Sequence, residues 1–174
     1  MQQQLQEKVL GQLPERVDIG ASGSIIKNVK SVIVPNTDHL KGIPAAATAG
    51  IIAGDPDKEL EVIASVTKEQ VEEMKEFLKK TPISVEHVDN GLTFDIIVTL
   101  YKGDEYAKVR IANYHTNIVL IEKNGEILEQ TEVAGETEEG LTDRSLLNMK
   151  DICDFINTVD VEDIKPILKT SDRL

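Results

Sequence analysis

A run of small and apolar residues, Ala45-Ala-Ala-Thr-Ala-Gly-Ile-Ile-Ala, constrains the fold of this chain more than any other segment. It precedes the helix-breaking sequence Gly54-Asp-Pro, and the pattern predicts a helix over residues 40–53. Because that helix is apolar or small on every face, it has to be buried or packed closely against other backbone. Other parts of the chain must therefore cover it.

Further helices are predicted from apolar periodicity and capping signals. The clearest begins at Thr67-Lys-Glu-Gln, a capping-box pattern, and continues to Lys80 with an apolar stripe that includes Val71, Met74 and Phe77. Weaker patterns predict an N-terminal helix, a helical turn, a short helix and two C-terminal helices. These cover residues 3–12, 25–29, 56–63, 146–159 and 161–168.

Apolar runs and alternation of polar with apolar residues predict strands in two parts of the chain. The strands cover residues 16–20, 31–35, 83–88, 92–101, 106–112, 118–122 and 127–130. Asp89-Asn-Gly and Asn124-Gly are typical of hairpin turns, so the strands from residue 83 onward are predicted to form an antiparallel meander. Helices and strands together predict a two-layer α+β domain, with a mostly antiparallel sheet covered by helices and a short C-terminal helical extension.

The predicted domain boundary lies near residue 135. Residues 1–135 form the α+β lobe. Residues 136–174 contain an acidic linker, which includes Glu136-Thr-Glu-Glu-Gly, and the two short helices.

Charge and composition exclude several classes of function. The 31 acidic residues outnumber the 19 lysines and arginines, which opposes binding to nucleic acid or to an anionic membrane surface. No apolar run reaches the ~20 residues that a membrane helix needs, and the start of the chain lacks the apolar core of a signal peptide. A cytoplasmic location is expected.

Cys153, the lone cysteine, is expected to be buried and inert, and it provides neither a disulfide nor a metal site of several thiolates.

The histidines differ in their sequence surroundings. His39, His87 and His115 lack the spacing of a zinc site, and the first two are expected to be ordinary residues. His115 lies in Asn113-Tyr-His-Thr-Asn between two predicted strands, where it could hydrogen-bond a carboxylate or an ammonium group. A turn that satisfies its own backbone explains Thr116 and Asn117 equally well.

A second polar cluster lies between Gly20 and Ile43. Small residues there permit close approach of backbone to a ligand, but no phosphate-binding or dinucleotide fingerprint is present. The polar members of this cluster are Ser22, Ser24, Lys27, Asn28, Asn36 and Thr37.

Three ordered stretches resemble one family of enzymes. They are Ala21-Ser-Gly-Ser-Ile-Ile-Lys-Asn followed by Val34-Pro-Asn-Thr, Leu40-Lys-Gly-Ile-Pro-Ala-Ala-Ala continuing to Ile52-Ala-Gly-Asp-Pro, and His115-Thr-Asn-Ile. The family is the L-cysteine desulfidase group, related to the iron–sulfur L-serine dehydratases. The resemblance extends from about Arg16 over nearly the whole chain.

The resemblance implies a lyase of amino-acid catabolism that works without pyridoxal phosphate. Members remove hydrogen sulfide from L-cysteine or water from L-serine, giving pyruvate and ammonia, and a [4Fe–4S] cluster acts as the Lewis acid. The choice between cysteine and serine is left open. The cluster ligands and the helical domain that carries them match nothing in this chain. The chain is therefore expected to be an N-terminal lobe, similar to the β-type domain of serine dehydratases and truncated at both ends, that binds no cluster and is inactive alone.

Under this resemblance no catalytic or metal-binding residue is assigned, and six side chains would orient the amino-acid substrate. They are Asn28, Asn36, Thr37, His115, Thr116 and Asn117. The missing helical cluster-binding domain would be a partner of the chain. One alternative is a stand-alone regulatory module that binds an amino acid or a carboxylate without catalysis, and another is a remnant without function. An exposed sheet edge would permit two copies to pair, which leaves the oligomeric state open.

Overall fold

The computed structural model describes residues 11–55, 62–133 and 148–165 of the chain. The chain divides into two compact units, with the boundary between residues 136 and 137. Within the described residues, no helix combines the length and the apolar character that crossing a bilayer requires.

The described part of the first unit contains a sheet and three helices. In chain order its elements are strand β1 (Arg16–Ala21), helices α1 (Gly23–Val29), α2 (Gly42–Ala53) and α3 (Lys68–Lys80), and strands β2 (Ile83–His87), β3 (Asp95–Lys102), β4 (Glu105–Ala112), β5 (Ile118–Lys123) and β6 (Glu126–Gln130). The second unit contains helix α4 (Met149–Thr158), and residues 161–165 are also helical.

The strands form one six-stranded sheet in the order β2-β1-β3-β4-β5-β6. Neighbouring strands are antiparallel except β1 and β2, which are parallel. This confirms the predicted α+β class with a mostly antiparallel sheet. The predicted turn between β5 and β6 is also confirmed, since Asn124 and Gly125 both adopt positive φ, at 50° and 86°.

The predicted meander is wrong at its first strand. β2 pairs with β1 and not with β3, because β1 lies between them. The chain reaches β2 through α1, α2 and α3, and parallel neighbours require a long crossover of this kind. Asp89-Asn-Gly is therefore part of a loop that passes the end of β1, where the Val88 amide donates to the Ala21 carbonyl at 2.9 Å.

The main core joins the central strands to α2 and α3. Its buried members are Val17, Ile19, Ala47, Ile51, Phe77, Val98, Leu100, Ala107 and Val109. A second cluster, formed by Val34, Ala45, Ala49 and Met74, lies between α2 and α3. α2 is thus covered on two sides, which confirms that a helix of small residues had to be buried.

Helix α2 begins two residues later than predicted, at Gly42. This glycine has a φ of +81°, and a Cβ in its place would lie 2.7 Å from the backbone oxygen of Lys30. The Gly42 amide also donates to the Val32 carbonyl at 2.9 Å. The start of α2 is therefore fixed by close backbone contact with the segment that precedes it.

Helix α3 matches the prediction closely. The Gln70 amide donates to the Thr67 hydroxyl at 3.3 Å, and the Thr67 amide donates to the Gln70 side-chain oxygen at 2.9 Å. These two bonds form the predicted capping box, so the helix begins at Lys68.

The strand predicted over residues 31–35 does not form. The pairing there is a single bridge between Ile33 and Lys41, because the chain reverses direction immediately: Asn36 adopts a φ of 60° and the Val34 amide donates to the Leu40 carbonyl. Two of the helices predicted from weak patterns cover residues 3–12 and 56–63. Of these two ranges, the described residues include 11–12 and 62–63, and the rest lies outside them.

The prediction that Cys153 is buried is wrong. Its side chain is exposed on α4, where the neighbouring apolar residues Ile152 and Phe155 are also 38% and 58% exposed.

A buried ion pair joins the start of β3 to the end of β4. Asp95 is 0% exposed, and its carboxylate accepts hydrogen bonds from Nε and Nη2 of Arg110, both at 2.9 Å. The side-chain amide of Asn90 donates to the same carboxylate. A buried carboxylate is costly unless it is paired in this way, so the pair fixes these strands at this end of the sheet.

A surface ion pair connects the loop before α2 to α3. The Lys75 ammonium donates to carboxylate oxygens of Asp38 and Glu72, both at 2.8 Å. The hydrogen bond from Lys75 holds the pKa of Asp38 below its usual range, and the bonds to Asp38 and Glu72 raise the pKa of Lys75 to about 12.

Arg110→Met is expected to lower the free energy of unfolding by about 3 kcal/mol or more, because it leaves the Asp95 carboxylate buried without its cation. Urea denaturation followed by circular dichroism measures the change. Lys79→Met, which removes an exposed ion pair within α3, is the control and should barely move the midpoint. Equal effects of the two substitutions would contradict this account.

Asp38→Asn is expected to make unfolding less dependent on pH in acid. The pKa of Asp38 is lower in the folded chain than in the unfolded chain. Its contribution to the free energy of unfolding is therefore present above the ordinary aspartate range and is lost as the pH falls through the lowered pKa. Because the pKa of Lys75 is raised in the folded chain, the stabilisation that the Lys75 ammonium group contributes is complete up to the ordinary lysine range. This stabilisation is lost only as the pH rises through about 12.

Urea midpoints of wild type and Asp38→Asn should therefore differ at neutral pH and converge in acid. Asp104→Asn, an exposed aspartate in the β3–β4 turn, serves as the control. A difference between wild type and Asp38→Asn that persists at pH ~2, below the ordinary aspartate range, would count against the ion pair.

Candidate functional site

An apolar cleft of about 290 Å³ lies on the helix-covered face of the sheet. Strands β1 and β3 form its floor, and helices α1 and α2 form its walls. It is lined by Ile19, Ala21, Ile25, Val29, Ile43, Ala46, Ala47, Phe94, Ile96, Val98 and His115. Among the described residues that line it, His115 alone has a polar side chain.

Two walls of the cleft carry short or partly exposed side chains. On α2 the lining consists of Ile43 with Ala46 and Ala47, which reach only a methyl group into the space. On α1 the lining residues Ile25 and Val29 are one helical turn apart, so they lie on the same face of the helix. Neither is fully buried.

The loop between β4 and β5 brings His115 to the cleft. The His115 ring lies against the ring of Phe94, with centroids 4.5 Å apart and planes at 49°. Asn113 adopts a φ of 67°, and its amide donates to the Phe94 carbonyl at 2.9 Å. The loop is thereby attached to the residue whose ring contacts His115.

Asn117 closes the same loop. Its side-chain amide donates to the Ala112 carbonyl at 2.9 Å, and the Ala112 amide donates to the Asn117 carbonyl at 3.2 Å. Asn117 thus satisfies the backbone of its own turn, the alternative that the sequence had left open. Thr116 is exposed at the tip of the loop.

The predicted ligand-binding residues before α2 lie in other places. Asn28 is exposed on α1. The Asn36 side chain donates to the Ile63 carbonyl at 3.2 Å, and Thr37, 1% exposed, donates to the Val34 carbonyl at 2.7 Å. Among the six predicted residues, His115 lines the cleft, and the ligand-binding role of all six stays a prediction.

Asn36 lines a different groove, of about 560 Å³, beside the start of α3. The other residues of this groove are Asp38, Val66, Thr67, Lys68, Val71 and Glu72. Its polar groups already serve the fold, since Thr67 caps α3 and Asp38 is paired with Lys75. Asn36 and His115 therefore line different cavities.

Several polar and charged groups on the opposite face of the sheet are paired with one another. Arg16 lies 3.3 Å from the Asp18 carboxylate and 3.7 Å from the centre of the Tyr101 ring, and the Ser84 hydroxyl donates to Asp18 at 2.8 Å. These groups border a trough of about 330 Å³.

A second pairing on that face is between Tyr106 and Glu122. The Tyr106 hydroxyl donates to the Glu122 carboxylate. This bond raises the pKa of Tyr106 and lowers the pKa of Glu122, which keeps the phenol protonated and the carboxylate ionised. The apolar cleft is consequently the better candidate for binding a ligand.

Sequence reasoning missed most of the cleft because it searched for polar residues. Two signals were available: the four-residue spacing of Ile25 and Val29 beside a helix of alanines, and Phe94, one of three phenylalanines in the chain. Neither signal predicts a cavity, because the space depends on how the helices lie on the sheet.

Comparison with known proteins gives relatives that share one name, UPF0597 protein. The relative from Desulfitobacterium hafniense is 51% identical over 164 residues, which are 92% of this chain and 37% of the relative. The relatives from Treponema denticola and Lachnoclostridium phytofermentans are 43% and 40% identical, and this chain covers 38% and 39% of their lengths. The chain thus spans less than two fifths of these relatives. No protein-family model and no solved structure matches it.

These relatives overturn the predicted membership of the L-cysteine desulfidase and iron–sulfur L-serine dehydratase group. They are similar over nearly all of this chain and carry neither name. The predicted function, a fragment of an iron–sulfur lyase that breaks down L-cysteine or L-serine, is wrong on the same finding. Residues 11–55, 62–133 and 148–165 also contain no group of three His, Cys, Asp or Glu side chains placed to hold a metal ion.

Proposed function

We propose that this chain is a binding unit for a small molecule with an apolar body and one hydrogen-bonding group. The observation that supports this is the lining of the cleft, where His115 accompanies ten apolar residues. Small-molecule sites in proteins commonly combine a concave apolar surface with a few polar groups that orient the ligand.

The size and polarity of the cleft restrict the class of ligand. Its volume of about 290 Å³ is at the lower end of the range for such sites, ~300–1,000 Å³. Affinity would come from burial of apolar surface, at about 25 cal/mol per Å², and His115 would select the orientation. A zwitterionic amino acid would give up most of its hydration in exchange for a single polar side chain, so the apolar ligand is favoured over it.

The proposal predicts binding of 4-methylpentan-1-ol, which has a branched apolar body and one hydroxyl group. In a chain with labelled isoleucine methyl groups, titration should shift the NMR signals of Ile19, Ile25, Ile43 and Ile96. The signal of Ile127, which is 53% exposed on β6, should stay constant. Erythritol, a polar compound of similar size, should shift none of them, because it has no apolar body to bury.

Two substitutions separate the apolar and polar contributions. Ala46→Met fills the cleft and should abolish the shifts, whereas Ala64→Met, at an exposed position, should leave them unchanged. His115→Phe keeps a ring against Phe94 and removes the hydrogen bond between His115 and the hydroxyl group of the alcohol. The affinity for 4-methylpentan-1-ol should therefore fall about fivefold to tenfold. Equal shifts in the Ala46→Met and Ala64→Met variants would mean that the alcohol binds elsewhere.

A further inference from the structure

Helix α1 is a weakly buried wall of the cleft. It contributes Ile25 and Val29 to the lining, yet none of its own residues is buried. The sheet and α2 contribute core residues to the lining, among them Ile19 at 3% exposure, Ala47 at 2% and Val98 at 1%. Moving α1 would therefore open the cleft without displacing any residue that is buried on α1 itself, whereas moving β1, β3 or α2 would displace members of the main core.

The helix also has little stability of its own. It is seven residues long and begins with Gly23, and isolated helices of that length do not persist in water. The Ser22 hydroxyl at its N-cap makes no capping bond to the helix. That hydroxyl donates instead to the Thr93 carbonyl, at 2.7 Å.

Both ends of α1 are attached to rigid parts of the fold. At the first end, Ser22 is 2% exposed, and its amide donates to the Asp95 carbonyl at 2.9 Å. At the other end, the Val32 amide donates to the Val29 carbonyl at 3.1 Å, and the Gly42 amide donates to the Val32 carbonyl at 2.9 Å. A weakly packed helix is thus held between two fixed attachment points, at β3 and at the start of α2.

We propose that α1 is a gate over the apolar cleft, which opens to admit the ligand and closes with Ile25 and Val29 against it. The inference rests on the proposed binding function of the cleft. The hydrogen bond from the Ser22 hydroxyl to the Thr93 carbonyl holds the start of α1 in the closed position. Thr93 directly precedes Phe94, whose ring lies against His115. Bound ligand stabilises the closed gate by contact with both α1 side chains.

Amide hydrogen exchange of the ligand-free chain tests the opening. The amides of Ile26 and Lys30, which donate to the Ser22 and Ile26 carbonyls, should exchange by local opening, at least about 100-fold faster than the slowest amides of α2 and α3. Ser22→Ala should accelerate α1 exchange about tenfold, the effect of losing one hydrogen bond. Ser24→Ala, at an exposed serine of the same helix, should not.

Adding 4-methylpentan-1-ol tests the coupling to the ligand. Saturation with the alcohol should slow the exchange of the α1 amides, and Ser22→Ala should raise its association and dissociation rates together. Ligand-free α1 amides that exchange as slowly as those of α2 would overturn the gate. Methyl shifts without protection of α1 would overturn the gate and leave the binding function standing. Absence of methyl shifts would reject the binding function and the gate together, even if the free helix opened.

Discussion

The buried carboxylate of Asp95 is the interaction on which the arrangement of the cleft depends. Alternation along β3 directs Asp95 to the polar face of the sheet and Ile96 to the cleft, and Phe94, which precedes the strand, also lines the cleft. Arg110 and Asn90 bind the carboxylate, while the backbone carbonyls of Asp95 and Phe94 accept bonds from Ser22 and Asn113. Because an unpaired carboxylate would be strongly penalised there, the ion pair on one face holds the walls of the cleft on the other.

The small residues of α2 serve two purposes. Ala45 and Ala49 let α3 approach closely through Met74, and Ala47 lies against the sheet. The same short side chains leave space at Ala46 and Ala47, which line the cleft. The dense packing of α2 and the cavity beside it therefore arise from the same run of small residues. A larger side chain in place of an alanine that lines the cleft would fill the cavity.

Much of the fold was predictable from local patterns, because the patterns reflect local physics. The capping box at Thr67 fixes the start of α3 through two short-range bonds, and alternation along residues 95–112 fixes which side chains face the core. The parallel pairing of β2 with β1 was not predictable in this way, since it depends on where three helices place the chain. The same applies to the cavities: the family resemblance implied that Asn36 and His115 serve one substrate site, but they line different cavities.

The error over family membership has a different origin. Short motifs such as His115-Thr-Asn-Ile describe the loop they form, here a turn closed by the Asn117 side chain. A loop of that geometry is compatible with many functions. Similarity over nearly the whole chain is the stronger observation, and it leads to relatives whose name states no activity.

The position of β1 between β2 and β3 has a kinetic consequence. Val17 pairs with Ile83 on one side and with Leu100 on the other, so β1 is made well before either of its neighbours in the sheet. Contacts of such long sequence separation slow folding. During synthesis, Val17, Ile19 and Ala21 stay without these strand partners until β2 and β3 have left the ribosome, and until then this segment needs protection from aggregation.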